Sequence, residues 1–297
     1  MWQQLTKALQ NGDTRGIARA ISLVENEAEG YNDFMMALPA TATPVIGITG
    51  PPGAGKSTLA DALIAALVKE NKKVAVLCVD PSSPFNAGAL LGDRIRMSAW
   101  YNHPSVFIRS LATRGALGGL HPKIIEITDL LKACPFDYII VETVGVGQSE
   151  IEIAGLADCT LVVLVPEGGD EIQAMKAGLM EIADIFVVNK ADRPGADLFI
   201  HNLNMMLAPA VANSTAVPVI KTTASQQTGI EDLITAIKNT LQTAQQTDKK
   251  YLLLAEKAWQ LLQQKKMRGI SKPQLLAAIK KQLAAGNFNL YRFVDMQ

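Results

Sequence analysis

The segment Gly50-Pro-Pro-Gly-Ala-Gly-Lys-Ser57 constrains this chain more than any other. It fits G-x-x-x-x-G-K-[ST], sits behind the apolar run Val45–Thr49 and leads into a helical stripe of Leu59, Leu63 and Leu67. Strand, glycine-rich turn and helix therefore follow one another as this phosphate-binding motif requires. Glycines let the backbone wrap closely round a pyrophosphate, and the loop N–H groups with the helix N-terminus supply positive potential. The nucleotide-binding candidates are Gly50, Gly53, Ala54, Gly55, Lys56, Ser57 and Thr58. Lys56 is expected to act on the β- and γ-phosphates, and the Ser57 hydroxyl to take one Mg²⁺ position. The competing reading, a chance glycine-rich turn, does not account for the strand–loop–helix setting.

Around this unit strand-like and helix-like segments alternate, which predicts an α/β fold: a P-loop domain with a doubly wound, mainly parallel sheet flanked by helices. The expected strands are Val45–Thr49, Val74–Val79, Val106–Arg109, Tyr138–Glu142, Thr160–Val165, Ile185–Val188 and Val217–Lys221. Most are near-continuous apolar runs, as in strands covered on both faces. Residues 1–42 read as a helical extension, with Leu5 and Leu9 at helical spacing and Ile17, Ile21 and Val24 repeating after Asp13, an N-cap candidate. The nucleotide domain spans 43–247. Residues 248–297 form a helical arm, with Leu254, Ala258, Leu261 and Leu262 on one stripe. A second arm helix is expected between Ser271 and Gly286, its apolar face carrying Leu275, Leu276, Ile279 and Leu283.

Composition sets outer limits. The 297 residues are 48% hydrophobic, enough for a sizeable core, and 28 basic residues balance 28 acidic ones, so nothing points to nucleic acid or an acidic membrane. Cys78, Cys134 and Cys159 are widely spaced and odd in number, which predicts buried free thiols in a reducing, cytoplasmic setting. The first residues show no secretory signal and no apolar stretch is long enough to span a bilayer.

Asn189-Lys190-Ala191-Asp192 follows the apolar strand IFVV. A fixed carboxylate at Asp192 can accept from guanine N1–H and the exocyclic N2 amine, whereas adenine would leave it unpaired. Discrimination on the order of a few kcal/mol follows. Asn189 binds the base edge or braces the phosphate loop, and the Lys190 stem stacks along the base. Alone, N-K-x-D is weak and more often a solvated loop. At a strand end downstream of a phosphate loop it predicts GTP and GDP as the bound nucleotides.

Two carboxylates close strands, Asp80 after VAVLCV and Glu142 after YIIV. Open parallel sheets bind ligands beyond the carboxyl ends of their strands. Glu142-Thr-Val-Gly145 reads as a D-x-x-G element with Glu for Asp: the carboxylate serves magnesium, and the Gly145 N–H meets the γ-phosphate. The bland alternative for each acid is a helix cap or surface ion pair. In the loop Pro81–Asp93, Asp93 is a further magnesium candidate. Met175, Met180, Met205 and Met206 read as helix core, and His121, before Pro122, as a loop or capping residue.

With these blocks in view the chain resembles the MeaB/ArgK family of P-loop GTPases. The likeness runs through GDTRGIARAISLVEN, GITGPPGAGKSTL, VAVLCVDPSSPF, LLGDRIRM, FIRSLATRGALGGL, FDYIIVETVGVGQSE and QAMKAGLMEIADIFVVNKAD, nearly the whole length. It implies a GTPase chaperone of a cobalamin-dependent acyl-CoA mutase, of the methylmalonyl-CoA mutase type, coupling hydrolysis to adenosylcobalamin loading and mutase protection. By motif, Asp80 and Asp93 fall in a first switch region and Glu142 and Gly145 in a second. Gly169–Gly178, with Asp170, Glu171 and Lys176, resembles a third that responds to the mutase, with Lys176 exchanging partners between carboxylate and phosphate. It also implies an arm-exchanged homodimer, although the arm here is short. Thr223-Ala224 stands where the family usually has Ser-Ala, keeping a backbone N–H for guanine O6, and VPEGGDE replaces V-P-G-A-G-D-E. Gln148 arrives too late after Gly145 to be the usual water-positioning glutamine and reads as a loop residue, so slow intrinsic turnover raised by a partner is expected. The alternatives are a P-loop kinase of a small molecule, which has no use for N-K-x-D, and a metallochaperone GTPase, which would carry Cys/His ligands.

Overall fold

The computed structural model describes residues 1–80, 97–113, 120–143, 149–167, 181–207, 217–243, 248–266, 272–284, 286 and 288–295. Asp93, Gly145, Gln148, Gly169–Gly178 with Lys176, Met175 and Met180, and Ser271 all lie outside them. Two compact units are distinguished, Met1–Lys250 and Tyr251–Gln297.

In the first unit the described residues form a seven-stranded, all-parallel sheet of order β3-β2-β4-β1-β5-β6-β7. The strands are β1 (Val45–Thr49), β2 (Val74–Asp80), β3 (Val106–Ala112), β4 (Tyr138–Glu142), β5 (Cys159–Leu164), β6 (Ile185–Val188) and β7 (Val219–Lys221). β2 and β3 run beyond the expected Val79 and Arg109, because pairing with each other continues through Asp80 and Ala112. β5 begins and ends one residue early and β7 starts at Val219, not Val217. β1, β2, β5 and β6 are buried along their whole length, which is why they read as unbroken apolar runs.

Helices cover both faces. α4 (Lys56–Lys69) and α8 (Ile230–Thr243) set Leu59, Leu63, Leu233 and Ile237 against Ile46, Ile48 and Leu161. α6 (Ser149–Leu156) and α7 (Ala196–Leu207) set Ala154, Phe199 and Leu203 against Phe186 and Val188. Met205 and Met206 are a correction: they are 63% and 45% exposed. The buried face of α7 is Ala196, Phe199, Leu203 and Leu207. Helical periodicity puts Met205 opposite that face, while Met206 falls at its edge beside Phe199 and is still left exposed at the end of the helix.

At the N-terminus α1 (Trp2–Gln10), α2 (Thr14–Glu25) and α3 (Tyr31–Met36) bury Leu5, Leu9, Ile17, Ile21 and Val24 as their spacing requires. Asp13 caps α2, accepting from the N–H of Gly16 at 3.0 Å and of Arg15 at 3.3 Å. Polar contacts bind these helices to the sheet. Glu25 pairs with Arg109 of β3 at 2.6 Å and approaches His121 at 3.5 Å. Lys123, just before α5 (Ile124–Lys132), reaches Glu27 at 2.5 Å and Glu126 at 3.4 Å. His121 Nδ1 accepts from the Lys123 N–H at 3.0 Å, the capping role read from the sequence. All three cysteines are free and buried, and burial pushes the Cys134 thiol up to about 12.

The second unit carries most of α9 (Asp248–Lys266), with α10 (Lys272–Ala284) and α11 (Leu290–Asp295). Phe293 is buried against Phe288. Leu254, Leu261, Leu262, Leu276 and Leu283 are exposed. Among the described residues no helix is long and apolar enough to cross a membrane.

Candidate nucleotide site

The carboxyl ends of β1, β2, β4, β6 and β7 open on one edge of the sheet, and every described candidate sits there. Between β1 and α4 the phosphate loop is built around close backbone approaches. Gly50 has φ +139° and a Cβ there would lie 2.1 Å from the Val163 carbonyl oxygen. Gly55 has φ +88°, and its Cβ would meet Asn189 Nδ2 at 2.5 Å. Any side chain at 55 would drive Asn189 off the loop.

Lys56 and Ser57 are buried in the first turn of α4, while Thr58 is exposed. Lys56 Nζ donates to the carbonyls of Gly50 at 3.0 Å and Pro51 at 3.1 Å, so the ammonium folds back over the loop that it is expected to serve. Ser57 Oγ donates to Glu142 Oε1 at 2.6 Å, inside the protein. Glu142 and Asp80 are 4% and 5% exposed at the ends of β4 and β2. Burying carboxylates is unfavourable unless donors or cations compensate; Ser57 with Glu142, and Asp80 at the end of the neighbouring strand, offer hard oxygen donors. That set fits magnesium, which takes one or two protein oxygens along with phosphate and water. Among the described residues no group of three or more His, Cys, Asp and Glu side chains could hold a metal by itself.

The base-side loops converge on Asn189, which is 2% exposed. Its Nδ2 donates to the Ala54 carbonyl at 3.0 Å, and its Oδ1 accepts from Thr222 Oγ1 at 3.2 Å and from the Ala224 N–H at 3.1 Å. Of the two roles left open for Asn189, the structure supplies the brace. In the Thr223-Ala224 pair the Ala224 N–H is engaged by Asn189, and Thr223 is buried beside it. Lys190 has φ +54°, and its Nζ donates to the Gly53 carbonyl at 2.7 Å, which draws its stem along the loop. Asp192 is exposed, and its neighbour Arg193 pairs with Glu167, one of the two positions, with Gly168, at which VPEGGDE departs from the family pattern.

Sequence reasoning missed three contacts: Thr222 on Asn189, Lys190 on the Gly53 carbonyl, and Thr143 Oγ1 on Thr49 Oγ1 at 3.0 Å. The only signal for the last was a threonine at or just past the end of each strand, Thr49 ending VIGIT and Thr143 following Glu142.

Comparison with known proteins agrees with this arrangement. A family model described as methylmalonyl Co-A mutase-associated GTPase MeaB matches residues 17–280. A Pyrococcus abyssi protein, whose name assigns it provisionally to the GTPases, is 48% identical over 244 residues, 80% of this chain and 75% of its own length. A fused isobutyryl-CoA mutase of Geobacillus kaustophilus is 41% identical over 201 residues, 64% of this chain but 18% of that protein. Among solved structures, one titled as a LAO/AO transport system kinase superposes with a TM-score of 0.68 at 25% identity, covering 99% of this chain and 95% of that one.

Proposed function

The chain belongs to the MeaB family of GTPases, and on that premise we propose that it is a chaperone coupling its nucleotide state to a cobalamin-dependent acyl-CoA mutase. GTP is hydrolysed to GDP and phosphate. The finer reading is that this cycle governs adenosylcobalamin loading and protection of a mutase of the methylmalonyl-CoA type. The observation that carries it is the fused relative, in which a homologous segment shares one polypeptide with an isobutyryl-CoA mutase.

The loop amides and Lys56 bind the β- and γ-phosphates, where backbone donors and an ammonium stabilise developing charge. Ser57, Asp80, Asp93 and Glu142 are the residues that would hold Mg²⁺, which when bound neutralises charge on the phosphate oxygens. The Gly145 N–H serves the γ-phosphate. Asn189 keeps the phosphate loop and the 222–224 segment at one separation, so that Asp192 meets the guanine donors at a fixed offset from the phosphates. Lys176 has two candidate partners, strand-end carboxylate and phosphate, an exchange that a docked mutase could bias. Exposed Leu252, Trp259 and Leu262 on α9 support a homodimer, and three free thiols suit a cytoplasmic setting.

Single-turnover GTP hydrolysis with and without purified cobalamin mutases tests the proposal, alongside capture of the mutase from native extract in GTP and in GDP. Faster hydrolysis and nucleotide-dependent capture are expected, with Lys176→Ala losing more of the stimulated rate than of the basal one. Absence of both effects with every cobalamin mutase tried would overturn the chaperone reading and leave the GTPase assignment intact.

A further inference from the structure

Thr49 and Thr143 are 0% and 2% exposed, and neither belongs to the guanine pocket or to the phosphate and magnesium ligands. β1 and β4 are paired with Ile48 opposite Glu142, and the Thr143 N–H continues that ladder to the Ile48 carbonyl at 3.0 Å. Past this bond the side chains take over. Thr143 Oγ1 donates to Thr49 Oγ1 at 3.0 Å, and one residue earlier Glu142 accepts from Ser57 Oγ at 2.6 Å. Two consecutive residues at the end of β4 therefore hold both ends of the phosphate loop: Thr143 grips the residue before Gly50, and Glu142 the residue after Lys56.

Valine would present nearly the same shape at both positions. A buried hydroxyl is unfavourable unless bonded, and removing both partners of a neutral bond together leaves stability almost unchanged. Stability alone gives no reason for two threonines. What a hydroxyl pair adds over apolar contact is a narrow range of separations, about 2.5–3.0 Å between oxygens. Metal and phosphate chemistry is sensitive on that scale, since a displacement of about 1 Å can cost roughly 100-fold in rate.

We propose that Thr49 and Thr143 are a positioning pair for GTP hydrolysis, holding the end of β4 at a fixed offset from the phosphate loop so that Glu142 stays on the Ser57 hydroxyl. The inference rests on the reading of Ser57 and Glu142 as magnesium-site residues.

The test compares Thr49→Val, Thr143→Val, Thr143→Ser and the Thr49→Val/Thr143→Val double variant with the parent. The readouts are magnesium-dependent binding of a fluorescent GDP analogue, which needs no turnover, steady-state kcat and KM for GTP, and a thermal melt. The valine variants should need about tenfold more magnesium for half-maximal binding and lose about tenfold in kcat, as when a ligand's supporting contact is removed. KM for GTP should stay near the parent's in all of them and the melt near the parent's in the double variant, each single valine lowering the melt because it leaves one buried hydroxyl unbonded. Thr143→Ser, which keeps the hydroxyl, should behave as the parent. If Thr143→Val does not fold, Thr49→Val removes the acceptor alone and carries the same comparison. Parent-like magnesium titration and kcat in the double variant would overturn the inference, as would Thr143→Ser being as impaired as Thr143→Val. Ser57→Ala in the same titration separates the premise: if it binds magnesium like the parent, the metal-site reading itself fails.

Discussion

Ser57 Oγ donates to Glu142 Oε1 across 2.6 Å, with both side chains buried. Giving its proton to the carboxylate leaves the hydroxyl's lone pairs directed elsewhere, the orientation in which a serine oxygen can accept a cation. The bond also supplies a donor to a carboxylate held away from water, and it joins the start of α4 to the end of β4.

Ser57→Ala should therefore act on magnesium far more than on folding. Losing a bond to a buried carboxylate costs on the order of 1–3 kcal/mol, which a domain of this size survives. The magnesium concentration for half-maximal hydrolysis should rise about 10- to 100-fold. GTPase rate against magnesium, with a parallel thermal melt, decides it; a parent-like titration would refute the assignment.

Asp192→Asn should weaken GTP by on the order of 100-fold or more, because a carboxylate that matched two guanine donors becomes an amide that meets one of them donor to donor. Xanthine nucleotide, whose C2 oxygen accepts from the new amide, should gain in relative terms. Competition titrations with GTP, XTP and ATP make the comparison. ATP binding as well as GTP to the parent would end the idea.

Asn189→Ala should harm both stability and nucleotide binding. The change strips partners from the Ala54 carbonyl, the Thr222 hydroxyl and the Ala224 N–H in a buried setting. Unmet buried groups of this kind total about 3 kcal/mol, or roughly 6–12 °C in Tm for a unit of this size. Calorimetry of the variant beside nucleotide titration measures the two effects; a Tm within a degree or two of the parent would contradict the bracing role.

Lys123 gives a pH-dependent case. Burial works against its ammonium, but the bond to Glu27, the charge of Glu126 and the bond to Tyr31 outweigh it and hold the pKa above the ordinary lysine value. A cation whose folded pKa is raised contributes stability that is complete below the unfolded value, about 10.4, and is lost as pH climbs from there through the folded value. Lys123→Met, leaving Glu126 buried without this partner, should cost about 3 kcal/mol, equally at pH 7 and pH 9 and less at pH 11. Urea unfolding of parent and variant at the three pH values checks the sign. A deficit that grew with pH would reverse it.

Much of this protein was legible in local pattern. The phosphate loop between β1 and α4, the Asp13 cap, the buried stripe of the N-terminal helices and the strand-end positions of Asp80, Glu142 and Asn189 all follow from chemistry within a few residues, where periodicity and turn geometry act. What the tertiary structure alone decided is which distant groups meet. Ser57 and Glu142 are 85 residues apart, Thr49 and Thr143 94, and Asn189 and Ala54 135. The first two meetings depend on β4 being inserted between β1 and β2 with Ile48 in register with Glu142, and the third on β5 lying between β1 and β6. Met205 and Met206 make the same point from the surface: an apolar residue in a helix announces a preference for burial, and only packing of the helix says which face receives it. Hydrophobic periodicity encodes how much of a segment leaves water, whereas strand order and register, settled by long-range pairing, select its partners.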